Sequence, residues 1–574
     1  MKKFNHSILM AIAVVFLLSG CSGLNKMKKS ASGIKYEVKP EVLETHAGNV
    51  DLVIEARYPE KFFNKKAIVV ATPVLKTPTG DVEFKPLTLQ GESVTANNKV
   101  VNYASGGKVS YNGIVPYTKE MRQSELIIKV EASMKAKKVN FAPVKIADGV
   151  ISTPTLLANN AGEVIIAPDK FQRIIPETYQ ADINFDINRA EVKKGEMKSD
   201  DVTALKDKVS AANAKSNYDI KKINISSYAS PDGKLDLNDK LAKERSKTSS
   251  NFFKKELETM KVTKADQTEF YKIMSTAEDW DGFKEKVSQS SIQDKDLILR
   301  VLSMYNDPDV REKEIRNISA AFTELTSQIL PALRRSKFEV NVDVIGKSDQ
   351  ELLKIATSKP SDLTVEEVLY AATLTKDVKV QNGIYKAATE KFSNDFRTWN
   401  DLGMTAVLLG DMKSAKTALE KANSVKANDP IVMNNLGVVA LAEGEFGKAE
   451  GLFRGAAGAG SQVDHNMGIV NVKNGTYSQA VTNFGSACLF NAALAQTLNK
   501  DYAKALKTLD CIAVPTGMTN YLKAVVYARQ GQNANVFKSL EAALAAQADL
   551  KQLAKTDLEF GKLFEDAKFK ALVQ

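Results

Sequence analysis

Apolar and polar residues change rhythm three times along this chain. Between about residues 31 and 160 they alternate in short β-branched runs, DLVIEARYP (51–59), KAIVVATPVL (66–75) and ELIIKVEASM (125–134), with TPTG, NN and ASGG turn signals between them. A period of two puts every second side chain on one face, and several short runs so spaced predict an all-β sandwich, drawn here as a module over 34–165. From about residue 172 the rhythm is mixed. In ADINFDI, Ala181, Ile183, Phe185 and Ile187 alternate with polar residues, then Val202, Leu205 and Val209 fall on one helical face. INISSYAS (223–230) alternates again, residues 237–253 form an amphipathic helical pattern, and FEVNVDV (338–344) is a last strand. Strand–helix units side by side predict an α/β sandwich over 172–346. Within it, residues 256–335 are charged and helix-like, with EDWDGFKEKV and DKDLILRVLSMY as amphipathic pieces, so a helical insert is expected, with Trp280 in its core.

The third rhythm is a repeat. Trp399, Leu402, Gly403, Ala406, Gly410, Ala415, Leu419 and Ala422 return as Met433, Leu436, Gly437, Ala440, Gly444, Ala449, Phe453 and Ala456, each 34 residues on. A shortened copy follows at Gly468, Gly475, Ala480, Phe484 and Ala487, and weaker ones run toward the C-terminus. This period resembles that of tetratricopeptide (TPR) repeats, over about 350–574. The resemblance implies an all-α solenoid of helix pairs whose concave groove binds peptides or partner proteins. Asn400, Asn434 and Asn435 fall on first helices of the pairs, where carboxamides can clamp a peptide backbone; exposed polar positions are the alternative.

In the middle region SYASPDGKLDLNDKLAKERS resembles the core signature of the OmpA-like domain, GHTDxxGxxxxNxxLSxxRA, matching it at Gly233, Asn238, Leu241 and Arg245; LRRSKFEVNV resembles the family's closing segment. That family binds peptidoglycan noncovalently, gripping the ammonium and carboxylate of diaminopimelate. The resemblance implies that Arg245 offers its guanidinium fork to the carboxylate. The position of the family's aspartate is Ser230 here, and Asp232, two residues on in the same turn, is the candidate to replace it, with Asn238 beside them. Asp232-Gly233 as a plain turn is the alternative.

The N-terminus sets an expectation of place. Met1-Lys2-Lys3, an apolar run from Ile8 to Leu18, and Ser19-Gly20 have the order of a secretory signal over 1–20, too short to span a bilayer. Leu18-Ser19-Gly20-Cys21 resembles the lipobox of bacterial lipoproteins, which implies acylation of Cys21 (palmitate among the chains) and attachment to a lipid bilayer. Residues 21–33 lack acidic groups and are expected to be a flexible tether. Neither Asp after the cysteine nor an acidic run is present, so a periplasm-facing outer-membrane anchor is expected.

Composition narrows little further. With 44% apolar and 26% charged residues the chain reads as globular, and a net charge of +10 over 574 residues is modest. No basic and aromatic stripe suggests nucleic acid. After the signal, two cysteines remain, Cys488 and Cys511; an oxidising compartment allows a disulfide, and buried free thiols are the simpler expectation. HExxH, CxxC, GxSxG and P-loop patterns are missing, so no cofactor, no metal and no enzymatic activity are expected. The sequence reading is therefore a scaffold that ties an outer-membrane protein assembly to peptidoglycan and recruits partner proteins through the TPR groove. The alternative is a pure protein–protein adaptor of an assembly, secretion or motility complex.

Overall fold

The alternating region becomes a sheet. In the computed structural model, which describes residues 23–158, 162–317 and 319–574, residues 23–29 are helical (α1) and precede β1 (Lys35–Lys39), β2 (Val42–His46), β3 (Asn49–Tyr58), β4 (Ile68–Thr77), β5 (Gly80–Glu83) and β6 (Leu87–Gly91). β7 (Lys99–Val101), β8 (Gly107–Pro116), β9 (Glu125–Met134), β10 (Lys137–Asn140) and β11 (Val144–Ile151) complete an eleven-stranded sheet of path β1-β3-β2-β11-β9-β4-β6-β7. The sheet turns back on itself through the parallel β2–β11 contact, so Leu52 and Ile54 of one part pack on Leu126 and Ile128 of the other. Cys21 and the signal segment 1–20 lie outside the described residues.

Two boundaries differ from the sequence expectation. The tether does not extend through 33: Leu24 and Met27, three apart on one helical face, are buried with Phe63, Val69 and Ala132. Two apolar residues in an otherwise polar dozen suffice when a sheet end offers them a socket. The β module also ends at Ile151, and residues beyond it leave the sheet.

Residues 169–375 form a separate compact unit. Its sheet has the order β12-β15-β13-β14, built from β12 (Ile174–Asn184), β13 (Tyr218–Tyr228), β14 (Tyr271–Thr276) and β15 (Arg335–Ile345). β15 is central and antiparallel to both β12 and β13, while β14 runs parallel to β13. Helices α2 (Asp200–Asn213) and α3 (Leu235–Thr259) cover the sheet, with Val202, Leu205, Val209, Phe253 and Leu257 packed on Ile183, Ile223, Ile225 and Phe338. The predicted run past Asn184 fails, and Ile187 is exposed.

The helical insert needs a correction. Residues 256–335 contain β14, anchored by buried Phe270 and Tyr271, before α4 (Trp280–Gln289), α5 (Lys295–Met304), α6 (Pro308–Asn317), α7 (Ser319–Gln328) and α8 (Leu330–Leu333). The surrounding charge hid a short strand that the open edge of β13 selects. Trp280 is partly buried against the insert's own core of Phe283, Val287, Ile298 and Leu302, and its indole N–H donates to Glu278 at 2.9 Å. α9 (Asp349–Ser358) and α10 (Val365–Thr373), within the span of about 350–574 expected for the repeat array, belong to this unit instead.

The array follows as helix pairs: α11 (Val378–Lys391), then α12 (Phe396–Leu408) with α13 (Met412–Val425), α14 (Pro430–Ala442) with α15 (Phe446–Gly455), and α16 (Ser461–Lys473) with α17 (Tyr477–Phe484). α18 (Phe490–Leu498) with α19 (Tyr502–Asp510) and α20 (Gly517–Arg529) with α21 (Asn533–Ala546) come next, and α22 (Leu550–Ala554) and α23 (Ala567–Val573) close the chain. The repeated glycine is a packing device: a Cβ on Gly437 would stand 2.4 Å from the Phe453 ring of the next helix. The array and the β-rich region form one compact unit, joined by Arg529, whose guanidinium meets Glu559 at 2.5 Å and Glu44 of β2 at 2.8 Å.

The expectation of free thiols is corrected: Cys488 and Cys511 are disulfide-bonded, with Cα atoms 5.5 Å apart. They flank α18 and α19, and the antiparallel pairing of those helices brings together two positions 23 residues apart. Closing a loop of this length stabilises by about 3 kcal/mol. Reduction of the intact protein is expected to lower its unfolding free energy by roughly that amount, read from urea transitions with and without reductant.

Candidate functional site

The groove of the array is filled by the chain's own segment between the β-rich region and the 169–375 unit. Residues 162–168, Gly-Glu-Val-Ile-Ile-Ala-Pro, cross the first helices of successive pairs as an extended strap without strand partners. Side-chain carboxamides take the place of a neighbouring strand. Glu163 donates its N–H to Asn466 Oδ1 at 2.7 Å and accepts at its carbonyl from Asn466 Nδ2 at 2.8 Å. Ile165 does the same with Asn435, at 2.7 Å in both directions. The Ala167 N–H donates to Asp401 Oδ1 at 2.8 Å, and earlier in the chain Ala158 donates to Asn491 Oδ1 at 3.2 Å.

A carboxamide has one acceptor and one donor end, so a single asparagine satisfies both backbone groups of one residue. The bonded strap residues 163, 165 and 167 are two apart, as alternation along an extended chain requires. Their partners Asp401, Asn435 and Asn466 stand two residues before Gly403, Gly437 and Gly468, so each of three successive helix pairs holds one step of the strap, and Asn491, which holds Ala158, stands two before Ala493. The preceding position adds a second layer: Asn400 Nδ2 reaches the Ile165 carbonyl at 3.3 Å and Asn434 Nδ2 the Glu163 carbonyl at 3.0 Å. These carboxamides also hold one another, Asn435 donating to Asn400 at 3.0 Å and Asn466 to Asn434 at 2.9 Å. Asn400, Asn434 and Asn435 are thus fully buried, with the chain's own backbone between them. Sequence reasoning missed Asp401, Asn466 and Asn491, although the signal, a polar residue two before the repeat's small residue (glycine for the first two, Ala493 for the third), was present.

Ile165 inserts into the core of the array and Ala167 is buried, while Ile166 is exposed. Asp401 is the one acid in the ladder. It is fully buried, and its Oδ2 has no hydrogen-bond partner. Burial pushes its carboxyl up from 3.8 to about 7, opposed by the Ala167 N–H, Asn400 and Arg397.

In the 169–375 unit the residues carried by the OmpA-like resemblance lie close together. Arg245, on α3, is 1% exposed. Its Nε, Nη1 and Nη2 donate to the backbone carbonyls of Arg189 (2.9 Å), Tyr228 (2.9 Å) and Asp186 (3.2 Å), and its guanidinium lies over the Phe185 ring. The resemblance implies a fork open to a ligand; here three of its donors are occupied within the fold. Burial, with Arg334 nearby, lowers its pKa to about 10. Ser230 donates to Asp232, and both are held by Arg334, from the Ser230 hydroxyl at 3.2 Å and from Asp232 Oδ2 at 3.4 Å. Asn238 caps the turn through the Gly233 carbonyl at 2.9 Å. Arg334, which lies in the closing LRRSKFEVNV segment of the resemblance, is therefore the cation that Asp232 meets. Among the described residues no group of three or more His, Cys, Asp or Glu is placed to hold a metal ion, and no helix is long and apolar enough to cross a membrane.

A profile of the tetratricopeptide repeat matches residues 396–429, which are α12 and α13 with their flanks; the chain therefore carries a TPR repeat where the 34-residue period begins. No curated protein sequence matches the chain. Among solved structures, pilF of Pseudomonas aeruginosa is 15% identical with a TM-score of 0.28, covering 38% of this chain and 98% of its own. PilW, a type IV pilus biogenesis factor, is 13% identical with a TM-score of 0.28, covering 39% and 99%, and the Cut9-Hcn1 hetero-tetramer is 11% identical with a TM-score of 0.24, covering 60% and 76%. Overlaps of this size carry no functional statement.

Two outcomes are expected from these sites. For Asp401 the folded carboxyl titrates above its unfolded value, so the folded state binds the extra proton between about pH 4 and 7, and stability falls as pH rises through that window. Asp401→Asn keeps the acceptor for Ala167; it should flatten the stability–pH curve and stabilise the protein at pH 8 by up to a few kcal/mol in urea unfolding. Arg245→Met leaves three buried carbonyls unpaired and should cost about 3 kcal/mol in the unfolding transition of the 169–375 unit.

Proposed function

We propose that this chain is a lipid-anchored scaffold of the bacterial envelope that joins a membrane protein assembly to the cell wall. The observation that carries the adaptor part is the TPR array itself: stacked helix pairs with a backbone-reading groove make a protein-interaction module. The disulfide between Cys488 and Cys511 supports an oxidising compartment outside the cytoplasm. The Leu18-Ser19-Gly20-Cys21 sequence supports acylation at Cys21 and an outer-membrane, periplasm-facing position. Contact with peptidoglycan is supported by the Ser230, Asp232 and Asn238 turn with Arg334 beside it, which sets a carboxylate and a guanidinium in one place. A zwitterionic wall group has both charges to offer such a cluster. The activity is binding only, without catalysis.

The test uses the full-length protein and purified sacculi. Retention in the pellet is expected, and Asp232→Asn should reduce it several-fold. No retention of the wild type, or retention indifferent to Asp232→Asn, leaves the pure adaptor as the reading. Clearing of wall material in a zymogram would overturn the non-enzymatic part, and Cys21→Ser protein that still fractionates with membranes would overturn the anchor.

A further inference from the structure

We propose that residues 162–168 are a resident, displaceable ligand of the TPR groove, and that the groove is a binding site for an extended segment of another protein with the same chemistry. This deepens the adaptor reading and rests on it. Recognition of the strap runs through its main chain, at the N–H and carbonyl of Glu163 and Ile165 and the N–H of Ala167. Any extended segment presents those groups at the same spacing, so exchanging one segment for another conserves the ladder's hydrogen bonds.

Side chains then set which segments fit. Gly162 lies against Val438, where a Cβ would stand at 3.0 Å, Ile165 fills an apolar socket, and Ala167 is 2% exposed. The segment therefore needs a small residue first, an aliphatic one three places on, and a small one two places later. A charge at the last two positions would meet the apolar core or the Asp401 carboxyl. The strap also leaves Asp401 Oδ2 without a donor. A partner that brings one further donor to that end satisfies an atom the resident cannot, which gives it an advantage in exchange.

Because the strap is covalently attached, it competes at an effective concentration on the order of millimolar. A labelled peptide of sequence Gly162–Pro168 is expected to bind wild-type full-length protein only at millimolar levels. It should bind at least ten-fold more tightly to the full-length variant carrying Ile165→Asp and Ala167→Asp, whose own strap is expelled by charge. Adding Asn435→Ala should then remove the binding. Absence of tighter binding to the released variant overturns the proposal. Should that variant misfold, hydrogen exchange on the wild type decides. The amides of Glu163, Ile165 and Ala167 should exchange at least ten-fold faster than the helical amides of α14 and α16, through local opening. Equal protection would make the strap a permanent part of the core and overturn displaceability. Concentration-dependent dimers of the wild type, abolished by the same substitutions, would overturn the external partner in favour of straps exchanged between copies. Peptide capture by the released variant together with no protein cross-linked to the array in cells would sink the adaptor reading while leaving the resident ligand standing.

Discussion

A backbone cannot be buried with its N–H and carbonyl groups unpaired. The strap at 162–168 passes through the interior of a helical array, where every helix has already used its own backbone groups and no sheet edge is at hand. Asparagine resolves the conflict, because one carboxamide donates to a carbonyl and accepts from an N–H on the same residue. Asn435 and Asn466 do this at consecutive steps, and Asn400 and Asn434 fix the orientation of those two amides. Without them the groove would be an apolar trough unable to hold any extended chain.

The charged groups obey the same accounting. Arg529 is buried but faces two carboxylates, Glu559 and Glu44, so a cation inside the protein is paired from both the array and the β-rich region. Arg245 has no ion partner at contact distance among the described residues and uses carbonyl dipoles and the Phe185 face instead; burial, with the charge of Arg334 nearby, lowers its pKa. Asp401 is an exception. It keeps one oxygen unsatisfied, and burial pushes its carboxyl up to about 7. The ladder is thus least comfortable at the end where the strap leaves it.

These placements alter how an adaptor would work. A TPR groove is usually thought of as open, with partner affinity set by its lining alone. Here the lining is matched to a segment of the same chain, so partner affinity is a difference between two similar sets of contacts. In the 169–375 unit the same residues that resemble a wall-binding motif also brace a turn, with Arg334 linking Ser230 and Asp232 to the start of β15. Any ligand there meets a pre-organised cluster whose arginine is held by backbone, and whose carboxylate already has a cation.

The chain's local rhythms determined a good deal unaided. Period-two runs marked β3, β4 and β9 of the β-rich region and β12, β13 and β15, and the 34-residue return of Gly403 as Gly437 marked the helix pairs, because both signals arise from which face of a single element is buried. The asparagines on the first helices were visible as candidates for the same reason. What occupies the groove was not, since residues 163 and 466 are 303 apart and nothing local in either segment encodes their meeting. The pairing of Cys488 with Cys511, the burial of Leu24 and Met27, the strand at 271–276 and the occupied donors of Arg245 likewise depended on neighbours brought in by the fold. A sequence states what each element must hide or bond; only packing in three dimensions decides against which partner it does so.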